Sequence, residues 1–246
     1  MLPNHEGQRV PDTIFRTRDQ DQWKQVSSKD IFDGRTVVLF ALPGAYTPTC
    51  STSHLPRYNE LAPVFRAHGV DEVVCLSVND AFVMDEWARS QEAGNLRLIP
   101  DGNGQFTEAM GMLVDKSDLG FGKRSWRYAM LVRDGVIEKM FIEPEKDGDP
   151  FEVSDADTML AWLAPDVRPP EPVTLFTKPG CSYCAGAKAL LEEKHLAYEE
   201  ISLGRGITTR SLQAVAGART TPQVFIGGRK IGGFEDLQAW LAKPAP

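Results

Sequence analysis

Two short runs of this chain are apolar at almost every position. Val37-Val-Leu-Phe-Ala-Leu42 and Val73-Val-Cys-Leu-Ser-Val78 lack the alternation of a half-exposed strand, so each is expected as a strand buried on both faces. Between them the spacing predicts a helix from Leu55 to His68, stopped by Gly69. Asn79 and Asp80 offer caps for a further helix reaching about Ala93. Tyr128–Arg133 and Val136–Ile142 flank Asp134-Gly135, a dipeptide that tolerates the positive φ of a tight hairpin. Ser154 with Asp157 has the form of a capping box before a helix through Leu163. Strand–helix–strand order followed by a hairpin and a helix predicts an α/β sandwich on a mixed sheet.

The pattern breaks at Leu163-Ala-Pro-Asp-Val-Arg-Pro-Pro-Glu-Pro172, where Pro165, Pro169, Pro170 and Pro172 remove backbone donors and forbid a continuing helix. Residues 165–172 are therefore expected to form a semi-rigid linker between a domain of residues 1–164 and one of residues 173–246. The second domain repeats the same logic on a smaller scale. Strands are expected at Val173–Lys178 and Leu196–Ser202, with helices at Ala185–His195, Ser211–Ala216 and Glu235–Leu241. Gln223–Ile226 and Arg229–Ile231 flank a Gly227-Gly228 turn.

Composition narrows the possibilities. A chain of 246 residues, 42% hydrophobic and 25% charged, suits one large or two unequal globular domains. A net charge of −7 argues against a nucleic-acid partner. That charge is uneven: residues 173–246 carry nine Lys and Arg against six Asp and Glu, and residues 1–172 carry 18 against 28. Opposite signs lead us to expect the two parts to touch at least transiently. The longest apolar run is far too short to cross a bilayer, and the first residues lack a signal-peptide pattern, so a cytoplasmic location with no membrane partner is expected. Four cysteines are too few for a disulfide scaffold and fit redox-active thiols.

Two of those cysteines, Cys181 and Cys184, form a C-x-x-C at a strand-to-helix junction, where helix N–H groups and the nearby Lys178 favour the thiolate of Cys181. A zinc half-site is the other use of such a pair, but no second pair of ligands follows. Thr220-Thr-Pro222 precedes a strand, where a cis proline could offer a backbone edge to an extended peptide. Gly232-Gly233 stands at a helix start, either as a plain turn or as room for a ligand carboxylate. Lys178-Pro-Gly-Cys-Ser-Tyr-Cys184, Thr221-Pro222 and Gly232-Gly-Phe-Glu-Asp236 together resemble a glutaredoxin across residues 173–246. The resemblance implies that Cys181 attacks glutathione mixed disulfides, with Cys184 as its optional partner. It also implies that Lys178, Tyr183, Thr221, Pro222, Gly233 and Glu235 surround the glutathione. Ser182 stands where the family commonly has proline.

In the larger domain, Pro43-Gly-Ala-Tyr-Thr-Pro-Thr-Cys50 joins the first buried strand to the first long helix, which again sets a thiolate at a helix start. Thr47 offers a hydroxyl to a peroxide oxygen, and Pro43 and Pro48 stiffen the loop. A buried, inert Cys50 fits the local pattern as well. The loop resembles the P-x-x-x-T-x-x-C signature of the peroxiredoxins, and its spelling, with Arg127-Tyr-Ala-Met-Leu-Val-Arg-Asp-Gly135 and Glu143-Pro144, the atypical peroxiredoxin-five subgroup over residues 3–163. That resemblance implies Cys50 as the peroxidatic cysteine and Thr47 positioning the peroxide beside Pro43. It also implies Arg127 as the charge stabiliser, with Arg124 near it in sequence as a helper. Cys75 sits in an apolar strand and reads as a structural thiol, and Pro150-Phe-Glu-Val-Ser154 has no resolving cysteine. His5, His54, His68 and His195 show no clustered spacing and read as solvated or helix-surface residues, so no metal is expected.

The order of modules resembles the bacterial hybrid peroxiredoxin–glutaredoxin proteins, which implies two thioredoxin-like α/β domains. It implies a peroxidase acting on hydrogen peroxide and organic hydroperoxides, with no bound cofactor. Glutathione is the implied reducing cosubstrate, supplied by glutathione reductase and NADPH. The resemblance also suggests a homo-oligomer, dimer or tetramer, in which Cys181 serves Cys50 of its own or of a neighbouring subunit. Two other readings fit the same residues: a stoichiometric redox sensor, and two separate enzymes with thioredoxin reducing Cys50.

Overall fold

The protein, seen in a computed structural model, is described over residues 2–19, 22–194, 196–204 and 206–242. It divides into two compact units, Met1–Pro169 and Pro170–Pro246, and the division falls within the proline cluster.

Unit 1 begins with a hairpin, β1 (Ile14–Asp19) and β2 (Gln22–Ser27), and a short helix, α1 (Ser28–Phe32). There follow β3 (Thr36–Leu42), α2 (Leu55–Ala67), β4 (Glu72–Ser77), α3 (Ala81–Ser90), β5 (Arg97–Pro100) and α4 (Gln105–Ala109). A two-stranded ribbon, β6 (Leu113–Asp115) and β7 (Lys123–Ser125), precedes β8 (Tyr128–Arg133), β9 (Val136–Ile142) and α5 (Ala156–Leu163). The main sheet has the order β5-β4-β3-β8-β9, with β3, β4 and β5 parallel and β8 and β9 antiparallel. β3 lies at its centre and is buried at all seven positions. Val38, Phe40 and Leu42 enter the core on one face of the sheet, while Val37, Leu39 and Ala41 enter the core on the other. That double burial is why β3 shows no polar alternation, and each large side chain so buried contributes about 1.5–3 kcal/mol.

Local chemistry departs from the expected pattern in two places. The helix after Asp80 stops at Ser90 because Glu92 takes a left-handed φ of +50°. The last helix of the unit is capped by Asp155, whose carboxylate accepts from the Thr158 N–H at 2.9 Å. Ser154 does not cap it, because the buried carboxylate of Glu143 takes its hydroxyl at 2.7 Å. Asp157 instead pairs with Arg57 and ties α5 to α2.

Unit 2 comprises β10 (Val173–Thr177), α6 (Ser182–Glu193), β11 (Tyr198–Ser202), α7 (Thr209–Ala216), β12 (Gln223–Ile226), β13 (Arg229–Gly232) and α8 (Phe234–Leu241). Its sheet runs β11-β10-β12-β13, with only the β10–β11 pair parallel. α6 starts three residues before the expected Ala185, since the Cys181 sulfur itself caps it by accepting from the Cys184 N–H. Cys184 therefore lies inside the helix. The expected end of this helix, His195, lies outside the described residues.

Candidate active site

In unit 1 the loop after β3 is held by three bonds. The Thr47 hydroxyl donates to the Gly44 carbonyl at 2.8 Å, the Ala45 N–H to Asn79 Oδ1 at 3.0 Å, and the Ser51 N–H to the Thr47 carbonyl at 3.0 Å. Within this loop Tyr46 takes a left-handed φ of +62°, a conformation bulky residues rarely adopt and one that costs of order 1–3 kcal/mol. The chain then makes one wider π-turn, Cys50–His54, before α2. Cys50 and His54 are four residues apart, so both face inward, and both are fully buried.

Arg127, just before β8, is buried against them. Its Nη1 donates to Cys50 Sγ at 3.5 Å and lies 3.0 Å from His54 Nδ1. A guanidinium has no acceptor, so His54 Nδ1 must accept and Nε2 must carry the ring hydrogen, which it donates to the Ser154 carbonyl at 3.1 Å. Burial, reinforced by the Arg127 charge, holds His54 well below its ordinary 6.5, so the ring is neutral. This corrects the expectation of a surface histidine. Because unfolded His54 binds a proton that the folded ring refuses, its contribution to stability is complete above pH 6.5 and is lost as pH falls below that value. The slope is about 1.4 kcal/mol per pH unit for this one proton. Urea melts of the full-length protein are expected to show stability falling from pH 6.5 towards pH 5, with a slope that approaches this limit, and His54→Gln to flatten the fall.

The other arm of Arg127, Nη2, donates to Asp149, and the Phe151 ring lies 5.4 Å from its Cζ. Buried Glu143 holds this segment by accepting from the N–H groups of Glu152, Val153 and Ser154 at 2.8–2.9 Å. Arg127 Nε has no hydrogen-bond partner among the described residues. Arg124, the expected helper, instead donates to the Val78 carbonyl. Pro43 directly follows β3 and is half-buried. Burial, then the neighbouring Cys50, pushes the Cys75 thiol well above its ordinary value, so Cys75 stays protonated.

In unit 2, Cys181 is partly exposed at the start of α6. Burial pushes its thiol up. The bonds from Cys184 and the Thr221 hydroxyl, with the Lys178 charge, outweigh that and leave it below the ordinary thiol value. Cys184 goes the other way, raised by burial and by its bond to the Cys181 sulfur. The two thiols are thus set apart, Cys181 more easily ionised than an ordinary thiol and Cys184 less so. A groove beside them is lined by Tyr183, Thr221, Pro222, Gly233 and Glu235, and the Thr221–Pro222 bond is cis. Lys178 is not among the residues of that groove and lines, with Cys181, a separate pocket. Asp236, which sequence reasoning did not assign, also lines the groove and accepts from the Gly233 N–H at 2.8 Å. Gly232, at φ +129°, must be glycine because a Cβ would collide with that carboxylate.

Residues 5–160 match the Redoxin family model and residues 173–231 the Glutaredoxin model. Over 241 residues the chain is 60% identical to hybrid peroxiredoxin hyPrx5 of Haemophilus influenzae, with 98% of this chain and 100% of that one covered. The chain belongs to the hybrid peroxiredoxin–glutaredoxin family. Its peroxiredoxin unit is 56% identical over 186 residues to peroxiredoxin sll1621 of Synechocystis, with 69% of this chain and 97% of that one covered. It also matches reduced Prx3 of Vibrio vulnificus in complex with hydrogen peroxide, with a TM-score of 0.61, 42% identity, and 64% of this chain and 98% of that one covered. Both units have the thioredoxin-like fold, and the chain is a peroxidase of the oxidoreductase class. No helix of the described residues is long and apolar enough to cross a membrane. Among the same residues no three His, Cys, Asp or Glu side chains gather as metal ligands would.

Proposed function

We propose that the protein is a glutathione-dependent thiol peroxidase for hydrogen peroxide and alkyl hydroperoxides, in which the glutaredoxin unit regenerates Cys50. The observation that carries this reading is the buried Cys50 sulfur 3.5 Å from Arg127, in a unit whose only other cysteine, Cys75, is held as a thiol. Such a sulfur can be oxidised but has no internal thiolate to reduce it, while Cys181 sits on the same chain with its thiol lowered.

Cys50 thiolate attacks one oxygen of the hydroperoxide and the O–O bond breaks. The leaving oxygen takes a proton and departs as water or alcohol, and Cys50 becomes a sulfenic acid. The Thr47 hydroxyl hydrogen is committed to the Gly44 carbonyl, so its oxygen is left to accept from the peroxide O–H. Arg127, whose Nη1 lies 3.5 Å from the Cys50 sulfur, stabilises the oxygen that gains charge. Glutathione then attacks the sulfenic sulfur, water leaves, and a Cys50–glutathione disulfide forms. Cys181 thiolate attacks the glutathione sulfur of that disulfide and expels Cys50 as thiolate. A second glutathione frees Cys181 and leaves as oxidised glutathione. The sum is one hydroperoxide and two glutathiones converted to alcohol or water, water and one oxidised glutathione.

Loss of a preorganised charge donor typically costs about 10²–10³ in rate. Arg127→Met is therefore expected to slow Cys50 oxidation by that factor in single-turnover stopped flow. The reading as a whole is tested by NADPH consumption with peroxide, glutathione and glutathione reductase, set beside the same assay with thioredoxin and its reductase. Sustained turnover with glutathione alone supports it. Turnover with thioredoxin alone, or one stoichiometric burst with either reductant, rejects it.

A further inference from the structure

Arg127 is a cation with almost no contact with solvent, yet its environment changes charge during the cycle just described. When Cys50 is a thiolate, the guanidinium lies between two anions, the sulfur at Nη1 and the Asp149 carboxylate at Nη2. When Cys50 is a sulfenic acid or a mixed disulfide, that anion is gone. His54 cannot replace it, because its ring is neutral and offers Arg127 only a lone pair. A buried charge left without a counterion is strongly disfavoured. Asp149 is the carboxylate that spans both states. It is placed for this by a segment with no regular structure, fixed at its base by Glu143 and packed through Phe151 against Arg127 and His54.

We propose that Asp149 is a positioning residue that acts through Arg127 in both halves of the reaction. In the reduced protein it holds Nη2, so that Nη1 stays on the Cys50 sulfur. In the oxidised protein it keeps Arg127, and with it the packing of Phe151 on Arg127 and His54, in place beside the sulfenic sulfur. Cys50 has no exposed surface. A hydroperoxide group is small enough to enter such a site, but a tripeptide thiol needs the packing around the sulfur displaced. The Arg127–Asp149 pair ties the segment that carries Phe151 to the Arg127 and His54 side of that packing. Asp149 thus favours peroxide over thiol at the same sulfur, an assignment that rests on the glutathione-dependent reading for its second half only.

The two halves are separable by experiment. Single-turnover stopped flow on the full-length protein measures Cys50 oxidation by hydrogen peroxide, and then the reaction of the pre-formed sulfenic acid with glutathione. Asp149→Ala removes both charge and hydrogen-bond acceptor, and is expected to slow oxidation about tenfold while speeding the glutathione step severalfold. Asp149→Asn keeps the acceptor, so oxidation is expected to stay within about threefold of the parent, while the glutathione step speeds up as in Asp149→Ala. A loosened fold would also admit glutathione, so Asp149→Asn is the deciding variant. Loosening would slow its oxidation as much as that of Asp149→Ala, whereas a positioning role through the retained acceptor leaves it near the parent. Unchanged oxidation in Asp149→Ala overturns the proposal, as does slowing of both steps together. If glutathione fails to reduce the sulfenic acid even of the unmutated protein, the glutathione reading falls, and the oxidation rates still decide the role of Asp149 toward Arg127.

Discussion

Cys50→Ser is expected to abolish peroxide turnover with every reductant, while Cys75→Ala keeps it. The serine oxygen sits in the same buried pocket beside Arg127, but a hydroxyl is scarcely ionised at neutral pH and cannot form a sulfenic acid. Cys75 lies on the neighbouring strand β4, opposite Phe40 of β3, and shares the core that holds Cys50. Burial keeps it protonated, and a buried thiol is a poor nucleophile. Its truncation leaves a small cavity and costs about 1 kcal/mol of stability without touching the chemistry. Mass analysis after one equivalent of peroxide checks both variants: oxygen is gained by Cys75→Ala and not by Cys50→Ser.

Cys181→Ser is expected to reduce glutathione-driven turnover to near background, yet to leave the single-turnover oxidation of Cys50 at its full rate. The two effects separate because the residues lie in different compact units. The step lost is transfer of the glutathionyl group. Cys181 has the lowered thiol that this exchange requires. Cys184→Ser only weakens turnover, because Cys184 is the raised thiol and the glutathionyl group can leave Cys181 to a second glutathione without it. Steady-state NADPH consumption together with stopped-flow oxidation tests the pair, and full glutathione-driven activity in Cys181→Ser would refute the relay.

The parts of the fold that could be read from the sequence are those whose cause is local. β3 and β4 show as apolar runs because each is covered on both faces. The β8–β9 hairpin shows because Asp134 and Gly135 both take positive φ. The two cysteine loops show because each joins a buried strand to a helix or helical turn. By contrast β1 and β2 are largely polar and exposed, and β6 and β7 are only three residues long, so no hydrophobic period marks them.

The site divides in the same way. Cys50, Thr47, Cys181 and Thr221 lie in recognisable loops, whereas the partners of Arg127 come together only through tertiary structure. Asp149 follows Arg127 by 22 residues, and nothing in its own segment marks it. His54 did carry a signal, its four-residue spacing from Cys50, but a histidine read alone defaults to the surface. Asp236 lay inside a motif already recognised, and only its bond to the Gly233 N–H places it at the groove.

The relay is tested most directly by following the glutathionyl group itself. Cys184→Ser protein, oxidised with one equivalent of peroxide and mixed with labelled glutathione, is quenched at successive times and its cysteine peptides are mapped. The account predicts that label arrives first on Cys50 and then passes to Cys181 as Cys50 returns to the thiol. Label that reaches Cys181 without ever occupying Cys50, or that stays on Cys50 while turnover continues, would contradict it.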